Sequence, residues 1–238
     1  LLEPKDTFST LYDHYKDTIT YIKKDIDKRD KITRYLFLVL ILYSLTEFKQ
    51  IDSSSVFNDL CKKYLGISLN INYVLITTII LFCIFTCTIK YFQMCMNIEK
   101  QYSYIHKIES DLNHICGQNL ISREGYSYLE DYPLFSAFLH RIYMFFLPLA
   151  LVILMFVKSY YIFILLISSI NISSGKNFTC ILLEHSIIIS FINLIISLST
   201  ILTTVLYLLF IYRDKEWIKN INNKFKKIFV LLHLYKED

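Results

Sequence analysis

The stretch SIIISFINLIISLSTILTTVLYLLFIY, Ser186 to Tyr212, decides the fold class. Its 27 residues carry no charge and are mostly Ile, Leu and Phe. As a helix it covers about 40 Å, more than a hydrocarbon core of about 30 Å. The polar residues within it are ordered. Ser186, Ser190, Asn193, Ser197, Thr200 and Thr204 recur at spacings of 4, 3, 4, 3 and 4, which is one helical face. Lipid does not satisfy such side chains, so this seam is expected to face protein or water. Two readings stay open. The seam hydrogen-bonds packed neighbours, or several copies of it line a polar pathway. A selectivity filter built from charge rings or carbonyl-rich loops is not visible.

Three more apolar runs lie upstream. Ile32 to Phe48 spans roughly 25 Å, slightly short of the hydrocarbon core. Asn70 to Phe92 is amply long. Ile142 to Ile170 is long but contains Pro148 and Lys158. If this span ends at Val157, Lys158 snorkels to the outer interface and residues 159–170 form a separate apolar segment. That is the favoured reading. If the span continues, Lys158 is buried and functional by default. Pro148 lacks a backbone N–H and is expected to kink the helix.

Composition agrees with an all-α membrane protein. Hydrophobic residues make up 54% and the mean hydropathy is +0.41, with only 4 Gly and 3 Pro to make turns. A sandwich or barrel needs frequent turns, whereas long helices need few. The net charge of +4 is too small to imply a nucleic-acid partner. Its distribution is more informative. Of 25 Lys and Arg, 20 fall in the segment up to Arg34, from Lys90 to Arg141, or from Arg213 onward. The positive-inside rule then places both termini in the cytoplasm, with about four transmembrane helices. The first thirty residues are polar and charged, unlike a cleavable signal.

Two segments outside the spans have coiled-coil spacing. Phe8, Tyr12, Tyr15, Ile19, Ile22 and Ile26 form one seam. Ile98, Tyr102, Ile105, Ile108, Leu112 and Ile115 form another, with one 3-3 irregularity. Steps of three and four over about three heptads are the signature of paired helices. One helix approaches the membrane and the other leaves it, so they are expected to pair as an antiparallel cytoplasmic stalk. Whether the seams also contact other subunits stays open. Glu109 and Asp111 read as a solvated face of this stalk. Gly117 is placed to cap the second helix.

The chain is thus divided into an amphipathic helix (1–31), a transmembrane hairpin (32–92), a cytoplasmic helix and elbow (93–133), a second hairpin (134–212) and a basic tail (213–238). The elbow contains Arg123, Glu124, Tyr126, Tyr128, Asp131 and Tyr132. It reads as a structured return to the bilayer or as a contact surface, since aromatics beside charges suit partner binding. In the tail, Trp217, Ile221, Phe225, Ile228 and Leu232 share a face flanked by Lys215, Lys219, Lys226 and Lys227. It lies on anionic lipid or packs on the stalk.

Enzymatic chemistry is not expected. No HExxH, GxSxG, P-loop or GxGxxG motif occurs. His114 and Cys116 are two residues apart and do not share a helical face, so neither metal nor cofactor is expected. Cys61 and Cys180 fall in the two outer loops, where a bridge between them can form in an oxidising compartment. Asn171-Ile172-Ser173 and Asn177-Phe178-Thr179 match the glycosylation sequon, which matters only in a eukaryotic secretory pathway.

The order amphipathic helix, two-span hairpin, long cytoplasmic helix resembles the SLATT-type membrane effectors of bacterial defence operons. The resemblance rests on Phe8 to Ile26, Ile32 to Phe92 and Ile98 to Ile115. It covers less than half of the chain, and the third and fourth spans depart from it. It implies an oligomeric effector of the bacterial inner membrane, acting in phage defence by forming a pore or perturbing the bilayer. The partners expected are lipid, further copies of the chain and a soluble cytoplasmic protein. The rival expectations are a non-conducting anchor or sensor and an accessory subunit of a larger complex.

Overall fold

The computed structural model describes residues 4–48, 58–59, 61–64, 66, 73–121, 134–135, 138, 142–172 and 185–213. Four long helices dominate: α1 (Pro4–Phe48), α2 (Tyr73–Cys116), α3 (Leu147–Ile172) and α4 (His185–Ile211). No strand occurs among the described residues. At 45 and 44 residues, α1 and α2 are each about 66 Å long. That is twice the thickness of a hydrocarbon core. They cross the sequence boundaries at residues 31 and 92 without a break. Gly117, at φ +66°, ends α2 in the left-handed conformation, where glycine carries no Cβ penalty.

Three helices are long and apolar enough to cross a membrane: Val74–Cys116, Ile142–Ser168 and Ile187–Ile211. Run 32–48 belongs to the last third of α1. Its apolar character is diluted by Arg34 and Glu47, which sets it apart from the other three.

Contacts fix the helix directions. Tyr15 meets Glu109 and Asp25 meets Gln101, so α1 and α2 run antiparallel. The rings of Phe92 and Tyr207 stack with centroids 4.0 Å apart, and Arg213 meets Glu99 at 3.0 Å. Thus α2 and α4 run parallel. Lys158 meets Glu47, while Leu147 and Leu36 share a cluster, so α3 runs with α1. The second half of α1, the first half of α2, and α3 and α4 make a four-helix bundle. Its core holds Leu36, Tyr43, Leu81, Ile84, Tyr91, Phe92, Leu147, Leu151, Met155 and Tyr207.

Beyond the bundle, α1 and α2 continue as a two-helix extension. Its core is Tyr15, Ile22, Ile105, Ile108 and Leu112, flanked by Phe8, Leu11, Ile19, Ile26, Tyr102 and Ile121. Ile98 is also buried, between the two clusters. Two seam positions are corrected. Tyr12 is 37% exposed and Ile115 is 38% exposed, while Leu11 and Ile121 pack on the core instead. Tyr12 stacks along the outside between Phe8 and Tyr15, with Lys16 over its ring at 4.5 Å. After Gly117 the chain turns back, held by Asn113. The Asn113 Oδ1 accepts from the Leu120 and Ile121 amides, and its Nδ2 donates to the Ile121 carbonyl. That brings Ile121 onto the core in place of Ile115.

Candidate functional site

The bundle interior gathers the polar residues that lipid would reject. Along α4, Asn193, Ser197, Thr200 and Thr204 are buried, and Ser190 is partly buried. Ser186 belongs to α4, but its side chain lies outside the described residues. The seam therefore faces the chain's own helices. Opposite it, Thr77 and Thr88 on α2 and Ser159 on α3 are also buried. The Thr200 hydroxyl donates to the Ile196 carbonyl and the Thr204 hydroxyl to the Thr200 carbonyl, both at 2.8 Å. Among the described residues, five buried side-chain atoms of the bundle have no protein partner: Thr77 Oγ1, Thr88 Oγ1, Ser159 Oγ, Asn193 Oδ1 and Ser197 Oγ; a sixth, Gln101 Oε1, lies in the extension. Buried polar atoms are nearly always paired, with protein or with ordered water.

Lys158 is the second feature, and here the favoured expectation is corrected. The third helix does not end at Val157. It continues to Ile172 with Lys158 near its middle. Lys158 is 8% exposed and its Nζ lies 2.5 Å from Glu47 Oε1, with Glu47 at 22%. The ammonium also sits 5.8 Å from the ring centroid of Tyr43. The physical reason is the partner. Glu47 ends α1 at the height of Lys158, so the cation is neutralised in place and does not need to snorkel. Residue pattern alone gives one clue to this pair: Glu47 is the one acid in the first apolar run. Pro148 occupies the first turn of α3, where its missing N–H is tolerated. The irregularity lies just before it, as a π-turn at Ile142–Phe146.

The same register sets the heights of the polar groups. The Phe92–Tyr207 and Glu99–Arg213 contacts carry Thr77 to the level of Asn193, and Thr88 to that of Thr204. The antiparallel α1–α2 register carries Glu47 to Thr77 and Thr78. Glu47, Lys158, Thr77 and Asn193 thus lie within about one helical turn of each other along the bundle axis. Thr88, Thr204 and then the Phe92–Tyr207 stack follow toward the extension.

At the junction of bundle and extension, Arg29 bonds Asp30 at 2.8 Å. Burial works against the Arg29 charge, but the hydrogen bond and charge of Asp30 outweigh it, and the net effect holds the guanidinium above its ordinary value. In the extension, the Glu109 reading is corrected. Glu109 is 5% exposed and accepts from the Tyr15 phenol at 2.9 Å, whereas Asp111 is exposed. The irregular 3-3 step at Tyr102, Ile105 and Ile108 rotates the seam enough to bring Glu109 inward.

Arg123, Glu124, Tyr126, Tyr128, Asp131 and Tyr132 of the elbow, Cys180 and the basic tail beyond Arg213 lie outside the described residues. Cys61 is buried. Comparison of the chain with protein families, characterised proteins and solved structures gives no match.

Proposed function

We propose that this chain is an oligomeric, multi-pass membrane effector that changes the permeability of the bilayer it spans. In this reading, run 32–48 is a fourth span and both termini are cytoplasmic. The two-helix extension is a cytoplasmic stalk that associates copies and receives the activating signal. The resemblance described above implies a setting in bacterial phage defence.

The observation that carries this reading is the ion pair and polar seam inside the bundle, at the end of two unbroken helices. A passive anchor gains nothing from buried charge. Hydrophobic residues of similar volume hold a core together at least as well as a buried ion pair. Ionisable residues within a span therefore read as parts of a working site. Because α1 and α2 are continuous, a change in stalk packing moves the bundle without an intervening hinge. The seam lies inside each bundle, so the route across the membrane belongs there, and not to a ring of α4 helices around a shared axis.

A second reading, a non-conducting anchor or sensor, is favoured by the exposed aromatics Tyr21 and Tyr104 on the extension. Inducible expression separates the two. The effector reading expects membrane depolarisation and arrested growth, both lost in Asn193→Leu with Thr200→Leu at equal protein level. Depolarisation that persists unchanged in that variant refutes the assignment to the bundle. A fully polarised membrane at high expression of the activated protein leaves the anchor.

A further inference from the structure

We infer that each bundle encloses a single file of water that carries protons, shut at its inner end by the Phe92–Tyr207 stack. The inference rests on the effector reading and names the permeant species and the gate.

The first observation is chemical. Thr77, Thr88, Ser159, Asn193 and Ser197 each carry a side-chain oxygen without a protein partner, at 8% exposure or less. Five such atoms on three facing helices are a demand for a common ligand, and each unpaired polar atom in a dry interior is strongly unfavourable. Water satisfies hydroxyl and amide oxygens alike, because it both donates and accepts.

The second observation is spacing. Thr204, Thr200, Ser197 and Asn193 follow one another along α4 at axial steps of about 4.5–6 Å. Two hydrogen bonds of about 2.8 Å through one water span about 5.6 Å. This spacing calls for one bridging water between each successive pair of side chains. Thr88 and Thr77 supply further oxygens from α2 at the two ends of this row. The hydroxyls of Thr200 and Thr204 donate to their own helix, which leaves their lone pairs to accept from water.

The ends of the file differ. At the outer end stand Glu47 and Lys158, joined to each other and overlain by Tyr43. From α2 and α4, the uncharged Thr77 and Asn193 share that level. Glu47 is the carboxylate at the mouth. A proton from outer water joins the first water of the file beside it, each water hands one proton to the next, and one proton leaves the last water at the far end, so no bond to the protein is made or broken in the balance. At the inner end, Phe92 and Tyr207 are both buried and stacked at 4.0 Å, one turn beyond Thr88 and Thr204. The two stacked ring faces offer no oxygen to a water file, and the Tyr207 phenol is engaged with Cys95 on the side of the extension, so the stack closes the file. Phe92 lies on α2, which runs on into the extension, so movement there reaches the gate directly. Alkali cations are not expected to follow. They must shed a hydration shell, and neither a ring of charge nor a carbonyl-rich loop replaces it here, while the Lys158 ammonium stands at the entrance.

The test uses the full chain in vesicles of phosphatidylethanolamine and phosphatidylglycerol. A pH-sensitive dye is trapped inside and a potassium gradient supplies the driving voltage. Phe92→Ala is expected to raise proton flux about tenfold or more over the wild-type chain, with no release of a trapped fluorescent dye. In that background, Thr88→Val removes an oxygen at nearly constant volume, and Asn193→Leu removes the amide while keeping the same branching. Each is expected to return the flux toward the wild-type level, with an unchanged elution profile as the check on folding. The inference is overturned if Phe92→Ala leaves proton flux at the level of protein-free vesicles. It is also overturned if Phe92→Ala conducts but neither oxygen-removing variant reduces the flux. Vesicles that leak potassium and dye together with protons would overturn the water file and leave the effector reading standing. Selective proton flux from a chain whose expression leaves cells polarised would do the reverse.

Discussion

The two-helix extension and the four-helix bundle are built from the same two helices, yet their polar residues behave in opposite ways. In the extension most charges point outward, as in the Asp13–Lys16 pair, where both side chains are more than half exposed. In the bundle the charges point inward, as in Glu47–Lys158. The spacing beneath does not change between the two. On α1, Tyr15, Ile22, Leu36 and Tyr43 are buried, all on one seven-residue repeat whose missing member is Arg29 at the junction. On α2, the packed positions Thr77, Leu81, Ile84, Thr88, Tyr91, Cys95, Ile98, Tyr102 and Ile105 step by four or three throughout. One seam runs from the extension into the bundle. In the proposed membrane reading, what changes is the medium outside it: water takes the charges on the outer face, whereas lipid forces them to the inner one.

The sharpest way to break this contrast is to place like charges at the inward site. Glu47→Lys sets two ammonium groups together within the bundle and is expected to lose about 3–5 kcal/mol, read as a fall in the thermal midpoint of the solubilised chain. Glu47→Lys with Lys158→Glu reverses the pair and is expected to recover most of that loss. By comparison, Asp13→Ala in the extension is expected to change stability by less than about 1 kcal/mol. If the two sites respond equally, the bundle is hydrated like the extension and the contrast fails.

An intermediate case lies inside the extension itself. Glu109 is a charge buried on the wet side, held by the Tyr15 phenol. Tyr15→Phe keeps the ring and removes that donor, so the carboxylate loses a hydrogen bond in a dry seam. The expected loss is about 1–3 kcal/mol, with faster amide exchange in residues 8–26 and 102–121 and unchanged protection in the bundle. A loss that spreads to the bundle would show that the two regions unfold as one unit.

The helices were legible in the sequence and their rotations were legible only in part. In the extension, apolar residues are rare enough that their spacing marks the packed face, and Tyr15, Ile22, Ile105, Ile108 and Leu112 were all identifiable from it. In the bundle every face is apolar, so hydropathy locates the helix and says nothing about which side packs. There the exceptions carry the information, and the hydroxyl seam of α4 marked its inward face correctly. Thr77 and Thr88 carry the same signal on α2. They are eleven residues apart, three helical turns, but two threonines among Thr77, Thr78, Thr86 and Thr88 do not stand out as a row. The Glu47–Lys158 pair joins positions 111 residues apart, and no local spacing reveals such a partner. Lys158 was misplaced because a lone cation in an apolar run is cheapest at the interface, which holds only while its partner is unknown.

The smallest expected effect tests where the seam of the extension ends. Spacing puts Tyr12 and Ile115 on the packed face, and the structure leaves both more than a third exposed. Tyr12→Ala and Ile115→Ala should each alter the stability of the isolated chain by no more than about 0.5 kcal/mol, as for other surface changes. A truncation in the core, such as Leu112→Ala, should lose about 2–5 kcal/mol in the same measurement. The decisive variable is protein concentration in detergent. If Tyr12→Ala and Ile115→Ala become as damaging as the core change when the wild-type chain is assembled, the two residues are covered by another copy. Their seam spacing then describes contacts between subunits, and the outward ring of Tyr12 is part of that interface. If both remain neutral at every concentration, the extension is complete as a pair, and the proposed association of copies through it fails.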